Sequence, residues 1–308
     1  MTGPTGLVCV VGSLNEDTTL TVDTLPAPGE TTLTEGERLT SPGGKGANQA
    51  AAAAVCGARV AMVGAVGDDE PGERSLAALR DLNVDLTAVA RRDEVSTGVA
   101  VITVDADGEN TIVVDAGANA SLTAHEAAEA VSAAEPAVLL LQLEVPQDAV
   151  EAAARAATGA VVVLNPAPMP VDPGPIRDML PLVDVLVPNR SELGRLAGLS
   201  EPRDATEVAN CVAALGHVGS VVVTLGADGA LCFVKGAAPV AVPGVPTATR
   251  DASGAGDVFC GCLAQQLAGG VGLLEGVRHA NALAAASTVH PGARVRADLA
   301  DLAGLSSR

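Results

Sequence analysis

The feature that most constrains the fold of this chain is a repeated alternation between short, continuously apolar runs and segments of helical length. The apolar runs are LVCVVG, VAMVGAV, AVLLLQL, AVVVLN, VDVLVPN and SVVVTLG, and helix-length segments such as 45–57 and 71–81 separate them. Strands that are apolar on both sides and are joined by helices are typical of a parallel sheet covered on both faces. The pattern therefore predicts a doubly wound α/β fold with a mostly parallel sheet.

Two segments interrupt this alternation, 16–40 and 97–117. Both are rich in Thr and Val with a period of two, and the second contains DADGEN, a turn signal between two strands. They predict a small β-sheet outside the main one. We expect the whole chain, 1–308, to form one α/β domain with this sheet inserted in it, since 48% hydrophobic residues can fill a large core.

Charge and cysteine content argue against several classes of protein. Lys and Arg number 18 against 37 for Asp and Glu, so the formal net charge of −19 repels nucleic acids and anionic membrane surfaces. The apolar runs are too short to span a membrane and no basic signal region precedes the first, so we expect a soluble, cytoplasmic protein. The six cysteines lack a CxxC pattern and are predicted to be buried free thiols rather than zinc ligands or disulfides.

Polar clusters follow the apolar runs, at the points where the predicted strands end. They are GSLNED, QLEVP, NPAP, PNRSE and TLGADG. Because ligands bind beyond the carboxyl ends of the strands in an open parallel sheet, these clusters predict a single cleft. Taken one at a time, each cluster is equally compatible with an ordinary polar turn.

Two glycine-containing segments each begin a predicted helix. Gly43 and Gly44 precede an alanine-rich helix with Lys45 and Asn48 in its first turn, an arrangement that fits either a ligand site or close helix packing. No GxxxxGK[ST] motif occurs, and no GxGxxG follows the first strand, so neither a P-loop nor a dehydrogenase is supported.

The segment DASGAGD is the sharper of the two. Gly254, Ala255 and Gly256 would turn consecutive amides towards an anion, and Asp257 falls in the same turn. The helix dipole alone could stabilise Asp257. An anion and a carboxylate repel each other, however, so the pair is better explained by a base that takes a proton from a hydroxyl attacking phosphorus.

Two further sets of polar residues leave alternatives open, and the histidines exclude two classes of enzyme. Asn189 and Glu192 are either an N-cap pair or a sparse contact for Mg²⁺. Amide and carboxylate oxygens at Asn15, Asp17 and Glu144 suit a polyol but are also common in turns. The four histidines show no HExxH spacing and no GxSxG serine occurs, which argues against a metalloprotease or a serine hydrolase.

Taken together, ordered motifs along nearly the whole chain resemble the PfkB carbohydrate kinase family. They are VVGSLNED, LPAPGET, GGKGANQA, VGDDEPG, STGVAV, DGEN, AGANASL, LQLEVP, LNPAP, PNRSE, VTLGADGA and DASGAGDVF. The resemblance implies ATP-dependent phosphorylation of a sugar hydroxyl on an α/β domain with a β-sheet lid that often forms a homodimer. Such a lid would exclude water from the reaction.

The resemblance also implies roles for individual positions. Asp257 matches the catalytic base of the family, and Gly254, Ala255 and Gly256 match its anion hole. The positions that match the pentose site are Asn15, Asp17, Gly43, Gly44, Lys45, Asn48, Glu144 and Asp257. Glu192, with Asn189, matches the segment associated with Mg²⁺ and phosphates, and the nucleotide positions are Asn189, Thr224, Gly226, Gly256 and Asn281.

Three departures from the family pattern bear on these roles. Ala252 stands where the family usually has a threonine, which removes a hydroxyl near the phosphates. Asn281 replaces a histidine that is common near the adenine. The monovalent cation site of the family matches Asp251, Ser253, Ser287, His290 and Gly292, but Arg296 replaces a small serine there, so activation by K⁺ is left open.

Within the family, the molecule that accepts the phosphoryl group is inferred from the kinds of side chain that this sequence lacks. The chain has no Trp or Tyr and only Phe233 and Phe259, too few to hold a nucleoside base by stacking. The segment STGVAV lacks the arginine that phosphosugar kinases often carry. We expect a free pentose, D-ribose, with 2-deoxyribose, fructose or a nucleoside such as pseudouridine as alternatives. A non-catalytic sugar-binding protein would have lost the base or the anion hole.

Overall fold

The computed structural model describes residues 6–216, 219–290, 292–295 and 299. The strands are β1 (Leu7–Val11), β2 (Asn15–Thr21), β3 (Leu39–Gly43), β4 (Arg59–Gly67), β5 (Asp85–Arg92), β6 (Gly98–Val104), β7 (Asn110–Asp115), β8 (Val138–Leu141), β9 (Val161–Leu164), β10 (Val185–Leu186), β11 (Ser220–Thr224), β12 (Gly229–Phe233) and β13 (Val240–Pro243). The helices are α1 (Lys45–Val55), α2 (Glu70–Arg80), α3 (Ala124–Ala134), α4 (Gln147–Ala156), α5 (Gly174–Met179), α6 (Arg190–Ala197), α7 (Ala205–Ala214), α8 (Ala255–Ala268) and α9 (Leu273–Ser287).

Nine strands form the main sheet, in the order β13-β12-β11-β10-β9-β8-β1-β4-β5. Neighbours from β11 to β5 are parallel, whereas β12, next to the far edge, is antiparallel to both of its neighbours, β11 and β13. From β1 the chain adds strands first towards β5 and later, starting with β8, in the opposite direction, as in a doubly wound fold. The predicted mostly parallel sheet is confirmed.

Helices cover both faces of the main sheet because its strands are apolar on both sides. Val8 and Val10 of β1 pack in the core shared with α1, α2, α8 and α9, whereas Cys9 and Val11 pack in the core shared with α3 to α7. All four side chains are fully buried. Among the residues that the structure describes, none of the helices has the length and apolar character needed to cross a membrane.

The other four strands form a second sheet, in the order β3-β2-β6-β7. β2 pairs with β6 in parallel and with β3 antiparallel, and β6 and β7 form the hairpin predicted around DADGEN. A small sheet outside the main one is thereby confirmed. Within the segment 16–40 the strands are limited to the two ends, because Pro26, Pro28 and Gly29 interrupt the backbone pairing between them.

The expectation that all six cysteines are free thiols is wrong for one pair. Cys56, at the C-terminal end of α1, forms a disulfide with Cys262 in α8, and their Cα atoms are 5.8 Å apart. The remaining four cysteines are free and buried. No spacing motif indicates this pairing, because it depends on the packing of α1 against α8, whose cysteines are 206 positions apart along the chain.

Candidate active site

The strand order of the main sheet reverses between β1 and β8, and polar residues meet at that point. Ser13 follows β1 and Glu144 follows β8, and the Ser13 hydroxyl donates a hydrogen bond to the Glu144 carboxylate. The same carboxylate accepts the backbone N–H of Lys45 at 2.9 Å. Ligands bind at this edge of open α/β sheets. Here the edge brings two strand ends and the start of α1 together.

The second sheet brings further polar groups to this edge. Gly43 ends β3, and a Cβ atom there would overlap the carboxylate of Asp17. Asn15 is paired with Gly43 across β2 and β3, is 2% exposed, and accepts a hydrogen bond from Asn119 at 2.7 Å. The two sheets thus gather the residues predicted to bind a polyol, Asn15, Asp17, Gly43, Gly44, Lys45, Asn48 and Glu144, at one end of α1.

Asp257 lies in the first turn of α8 and is 7% exposed. Its carboxylate accepts hydrogen bonds from the side chains of Gln49 at 2.9 Å and Asn48 at 3.3 Å. Burial raises the pKa of Asp257, although Lys45 and the two hydrogen bonds oppose the rise. A carboxylate with a raised pKa is a stronger proton acceptor than an exposed one. The environment of Asp257 therefore suits a general base.

Four carboxylates lie close enough to the ammonium group of Lys45 or to one another to influence their pKa values. Burial raises the pKa of Asp17 to about 6, and the charges of Glu144 and Asp257 contribute to the rise. Burial by itself would lower the pKa of Lys45, but the charges of Asp257, Glu144 and Glu192 raise it above its ordinary value. Lys45 therefore stays charged and partly neutralises the site.

The loop before α8 leaves the N-terminus of that helix open. Gly254 has a φ of 71°, a left-handed conformation that favours glycine, and no side chain caps the helix. The N–H of Ala255 donates to the carbonyl of Ala252 at 3.2 Å. The amides of Gly256 and Asp257 lack an acceptor within the helix, as first-turn amides do. A Cβ at Gly256 would meet no atom within 4 Å, so a ligand can approach these two amides closely.

Asn189 and Glu192 form the N-cap pair that their spacing permits. Asn189 Oδ1 accepts the backbone N–H of Glu192 at 2.8 Å, and Glu192 Oε2 accepts the backbone N–H of Asn189 at 2.9 Å. Both also line a cavity of about 140 Å³ with Lys45, Gly256 and Asp257. In the described part of the chain, no cluster of three or more His, Cys, Asp or Glu side chains could hold a metal ion.

A larger cavity of about 550 Å³ adjoins the first, and Asn189, Thr224 and Gly256 line both. Its lining includes the predicted nucleotide residues Gly226 and Asn281, and Asn281 donates to the carbonyl of Pro243 at 2.8 Å. The remaining wall was not predicted in this role and consists of Ala227, Gly229, Val245, Pro246, Thr247, Thr249, Ala252, Ala255, Phe259, Ala284, Ala285 and Thr288. A mostly apolar cavity of this volume fits a small organic ligand such as a nucleotide.

The residues predicted to bind a monovalent cation lie around Asp251. Its two carboxylate oxygens accept the backbone N–H groups of Ser253 and Gly292, each at 2.8 Å. Burial would raise the pKa of Asp251, but the N–H of Gly292 and the side chain and N–H of Ser253 outweigh it and lower the pKa. Of the other predicted residues, Ser287 ends α9, His290 follows three residues later, and Arg296 lies outside the described residues.

Several polar residues of the site were not predicted. Gln49 donates to both Asp257 and Asn165, the latter at 3.1 Å, and accepts a hydrogen bond from Gln142 at 2.7 Å. Asn165 in turn donates to the carbonyl of Val187 at 3.0 Å. This chain of amides joins the ends of β8 and β9 to Asp257. Two of them could have been found from their position in the sequence, because Gln142 and Asn165 are each the first residue after an apolar strand.

Phosphoryl transfer to an alcohol needs an acceptor for the hydroxyl proton and donors for the phosphate, and the N-terminal turn of α8 supplies both. The fold and the site therefore define a small-molecule kinase. The chain belongs to the pfkB family of carbohydrate kinases, whose family model matches residues 5–298.

Similar proteins are known from several organisms. The chain is 35% identical over 290 residues to a ribokinase of Haemophilus influenzae, covering 92% of this chain and 93% of that protein. It is 33% identical over 267 residues to a deoxyribokinase of Salmonella typhi, covering 83% and 84% of the two chains. The solved structure of Arabidopsis thaliana ribokinase complexed with ribose and ATP matches with a TM-score of 0.85 and 32% identity, over 99% of this chain and 100% of that one. The expected family and fold are thereby confirmed.

Proposed function

We propose that the protein is a ribokinase, which transfers the γ-phosphoryl group of ATP to the 5-hydroxyl of D-ribose and releases ADP. The observation that carries the proposal is the buried carboxylate of Asp257. It lines the smaller cavity together with Lys45, and that cavity adjoins the larger one, which has the size of a nucleotide. The similarity to the Haemophilus influenzae ribokinase and to the Arabidopsis thaliana structure with ribose and ATP supports it.

Asp257 acts as the general base. As the 5-oxygen of ribose attacks the γ-phosphorus, the carboxylate accepts the hydroxyl proton and the bond from phosphorus to the ADP oxygen breaks. Gln49 and Asn48 donate to the carboxylate and hold it in place before the reaction. The open amides of Gly256 and Asp257 stabilise the charge on the transferred group.

Polar groups around the start of α1 orient the sugar. The carboxylates of Asp17 and Glu144 accept hydrogen bonds from sugar hydroxyls, and the Lys45 ammonium offsets their charge. Asn48 Oδ1 is buried and has no hydrogen-bond partner among the described residues, so it is free to accept a bond from the substrate. A ring with several hydroxyls satisfies these groups together.

Mg²⁺ accompanies ATP in this proposal, and Glu192 suits it. One oxygen of Glu192 is engaged by the N–H of Asn189, which leaves the other for the cavity that both residues line. One carboxylate is sufficient because Mg²⁺ keeps several waters and takes further ligands from phosphates. Asn189 Oδ1 caps α6, so Asn189 positions Glu192 rather than binding the ion itself. When bound, Mg²⁺ would neutralise part of the negative charge of the phosphates.

The second sheet serves as a lid and as a contact between two copies of the chain. Leu39, Ile112 and Val114 share the face that carries Asp17, as the strand register requires. They are 64%, 55% and 46% exposed. An exposed apolar stripe of this kind is typical of a protein contact. A second copy covering it would keep water away from the sugar site and so prevent ATP hydrolysis.

Activation by K⁺ and a cytoplasmic location stay predictions. Both oxygens of Asp251 are engaged by backbone N–H groups, so a cation would have to use the remaining lone pairs. We expect little stimulation by K⁺ over Na⁺, since Arg296 replaces a small residue near this position in the family. Initial rates in the two salts at equal ionic strength test it.

A second acceptor, 2-deoxyribose, deserves a direct comparison because the deoxyribokinase of Salmonella typhi is 33% identical to this chain. The test is an ADP-release assay of the purified protein with D-ribose, 2-deoxy-D-ribose, D-fructose and pseudouridine, and with no acceptor as the control for ATP hydrolysis. We expect the highest kcat/KM with D-ribose and a product phosphorylated at O5 by phosphorus NMR. A higher value for another acceptor would reassign the substrate, and no ADP release with any of them would contradict a kinase.

A further inference from the structure

Arg294 carries a buried guanidinium group that the proposed mechanism does not use. All three of its nitrogen atoms are shielded from solvent and have no hydrogen-bond partner among the described residues. Burial lowers the pKa of Arg294 to about 10, and the charge of Asp17 acts in the opposite direction. A guanidinium has five N–H donors, and leaving them without acceptors in a protein interior is unfavourable. Such a group is expected to find acceptors when the site is occupied.

The loop that carries Arg294 is fixed to the loop before α8 at two points. Gly292 donates its backbone N–H to Asp251 at 2.8 Å. Gly254 lies directly against the next residue of the loop, since a Cβ atom there would overlap the carbonyl of Ala293. Arg294 therefore extends from a fixed position beside the start of α8. Its charge also acts to lower the pKa of Asp17 in the second sheet, and the charge of Asp17 acts to raise that of Arg294.

We propose that Arg294 is a specificity residue that donates a hydrogen bond to a ring hydroxyl of the sugar, the same hydroxyl that donates a hydrogen bond to the carboxylate of Asp17. The inference rests on the proposed function, because it assigns Arg294 to the sugar site of that reaction. A hydroxyl donates one hydrogen bond and accepts others on its oxygen, so a single group satisfies a carboxylate and a guanidinium together. Among the described residues neither a hydrogen bond nor an ion pair joins Asp17 to Arg294, so such a group can lie between them.

Selection against a deoxy sugar follows from this arrangement. A sugar that lacks the bridging hydroxyl leaves the carboxylate of Asp17 and the guanidinium of Arg294 without partners in a buried site. Sites built to bond a substrate hydroxyl can reject the analogue without it by about 10⁴- to 10⁵-fold. The pair therefore favours D-ribose over either its 2-deoxy or its 3-deoxy analogue, depending on which hydroxyl lies between the two side chains.

The experiment measures sugar affinity by titration calorimetry in the absence of ATP, with D-ribose, 2-deoxy-D-ribose and 3-deoxy-D-ribose. Arg294→Met removes every donor while keeping a long side chain, and Arg294→Lys keeps the positive charge. Arg278→Met is the matched control, because Arg278 is an exposed residue of α9 that pairs with Glu275. Thermal melts and circular dichroism establish that each variant is folded.

For the wild type we expect D-ribose to bind at least about 100-fold more tightly than one of the two analogues. Arg294→Met should weaken D-ribose binding by about 30-fold or more and reduce that preference to within about threefold, leaving the affinity for that analogue nearly unchanged. Arg294→Lys should retain part of the preference, because an ammonium donates but lacks the planar fork. Arg278→Met should bind all three sugars as the wild type does.

Equal losses for all three sugars in Arg294→Met would overturn the inference, since a purely structural role does not distinguish them. An unchanged affinity for D-ribose would overturn it as well. If Arg294→Met does not fold, an Arg294→Lys variant with the full wild-type preference overturns it. If the wild type binds D-ribose with this preference but releases no ADP, the proposed function is contradicted and the inference about Arg294 stands. If the wild type binds none of the sugars, both are overturned.

Discussion

At the residue scale, Asp17 is a carboxylate whose surroundings make its ionised form unfavourable. Burial, with the charges of Glu144 and Asp257, raises its pKa from 3.8 to about 6, and Arg294 and Lys45 only partly oppose the rise. Because folding raises this pKa, Asp17 contributes stability when it is protonated, and that contribution is lost as the pH rises from about 4 through 6. Near neutral pH the free protein therefore holds an unfavourable charge that the hydroxyls of a bound sugar would compensate.

We predict that Asp17→Asn raises the free energy of unfolding by about 1–3 kcal/mol near pH 8. The gain should shrink as the pH falls through about 6 towards 4, where the wild-type carboxyl is protonated. The same substitution should weaken D-ribose binding at least about tenfold, because a charged acceptor is lost. Urea denaturation at the two pH values measures the first effect and calorimetry the second.

A matched control for this prediction is Asp107→Asn, in the exposed turn between β6 and β7, which should change neither quantity. Destabilisation by Asp17→Asn near pH 8, or an equal gain at both pH values, would contradict the account of its charge.

Local sequence pointed to Asp257, Gly256 and Glu192 because the chemistry of a helix N-terminus depends on neighbouring residues. Gln49 and Arg294 were not predicted because their importance arises from contacts, for Gln49, and from burial, for Arg294, that exist only in the folded chain. Gln49 reaches Asp257 across two helices, 208 positions apart. Arg294 differs from an ordinary surface arginine only through the burial of its guanidinium. Burial and distant partners cannot be read from a single sequence.

At the element scale, the contact between α1 and α8 sets the geometry of the proposed base. Gly261 of α8 lies so close to α1 that a Cβ atom there would overlap the backbone carbonyl of Gln49 and contact Ala52. This close approach lets Gln49 and Asn48 reach Asp257 on the facing helix. The small residues between the two helices therefore serve the position of the carboxylate as well as the packing of the core.

We predict that Gly261→Ala lowers the free energy of unfolding by about 1–3 kcal/mol, as overpacking does. It should also lower kcat more than it raises the KM for ribose, because moving Gln49 disturbs the hydrogen bonds of Asp257. Urea denaturation and steady-state kinetics measure the two effects. Gly272→Ala is the control, since a Cβ there would meet no atom within 4 Å. Wild-type stability and kcat in Gly261→Ala would count against the role given to this contact.

The central strands were predicted from the sequence because burial on both faces makes them continuously apolar. The edge strands β5, β12 and β13 were not among the predicted strands, and β5, for example, is exposed at several positions, which weakens the apolar pattern. The run VDVLVPN yields only the two residues of β10, because Pro188 cannot continue the pairing. Pattern thus predicts the middle of a sheet better than its edges.

At the scale of the whole molecule, the second sheet is fixed to the main domain at its base. Arg74 of α2 forms an ion pair with Glu16 of β2. The backbone N–H of Thr97, just before β6, donates at 2.8 Å to Asp69, the N-cap of α2. The outer part of the sheet carries the exposed apolar stripe. The sequence predicted this sheet but not that its apolar stripe shares a face with Asp17, because that depends on the strand register.

We predict that the wild type is a dimer and that Ile112→Glu combined with Val114→Glu converts it to a monomer, because two charges would be buried in an apolar contact. Light scattering after size exclusion gives the mass. The control is Thr111→Glu, on the same strand of the sheet but on its other face. A monomeric wild type, or a double variant that remains a dimer, would contradict the proposed contact.

The most direct test of the central claim, that Asp257 is the base of a ribose kinase, is the comparison of turnover and sugar binding in Asp257→Asn. We predict that kcat falls by about 10² to 10⁴-fold, the usual contribution of a general base. The affinity for D-ribose, measured without ATP, should stay within about threefold of the wild type, because asparagine keeps the shape of the side chain and an oxygen for Gln49. A folded Asp257→Asn variant that turns over D-ribose at nearly the wild-type rate would contradict it.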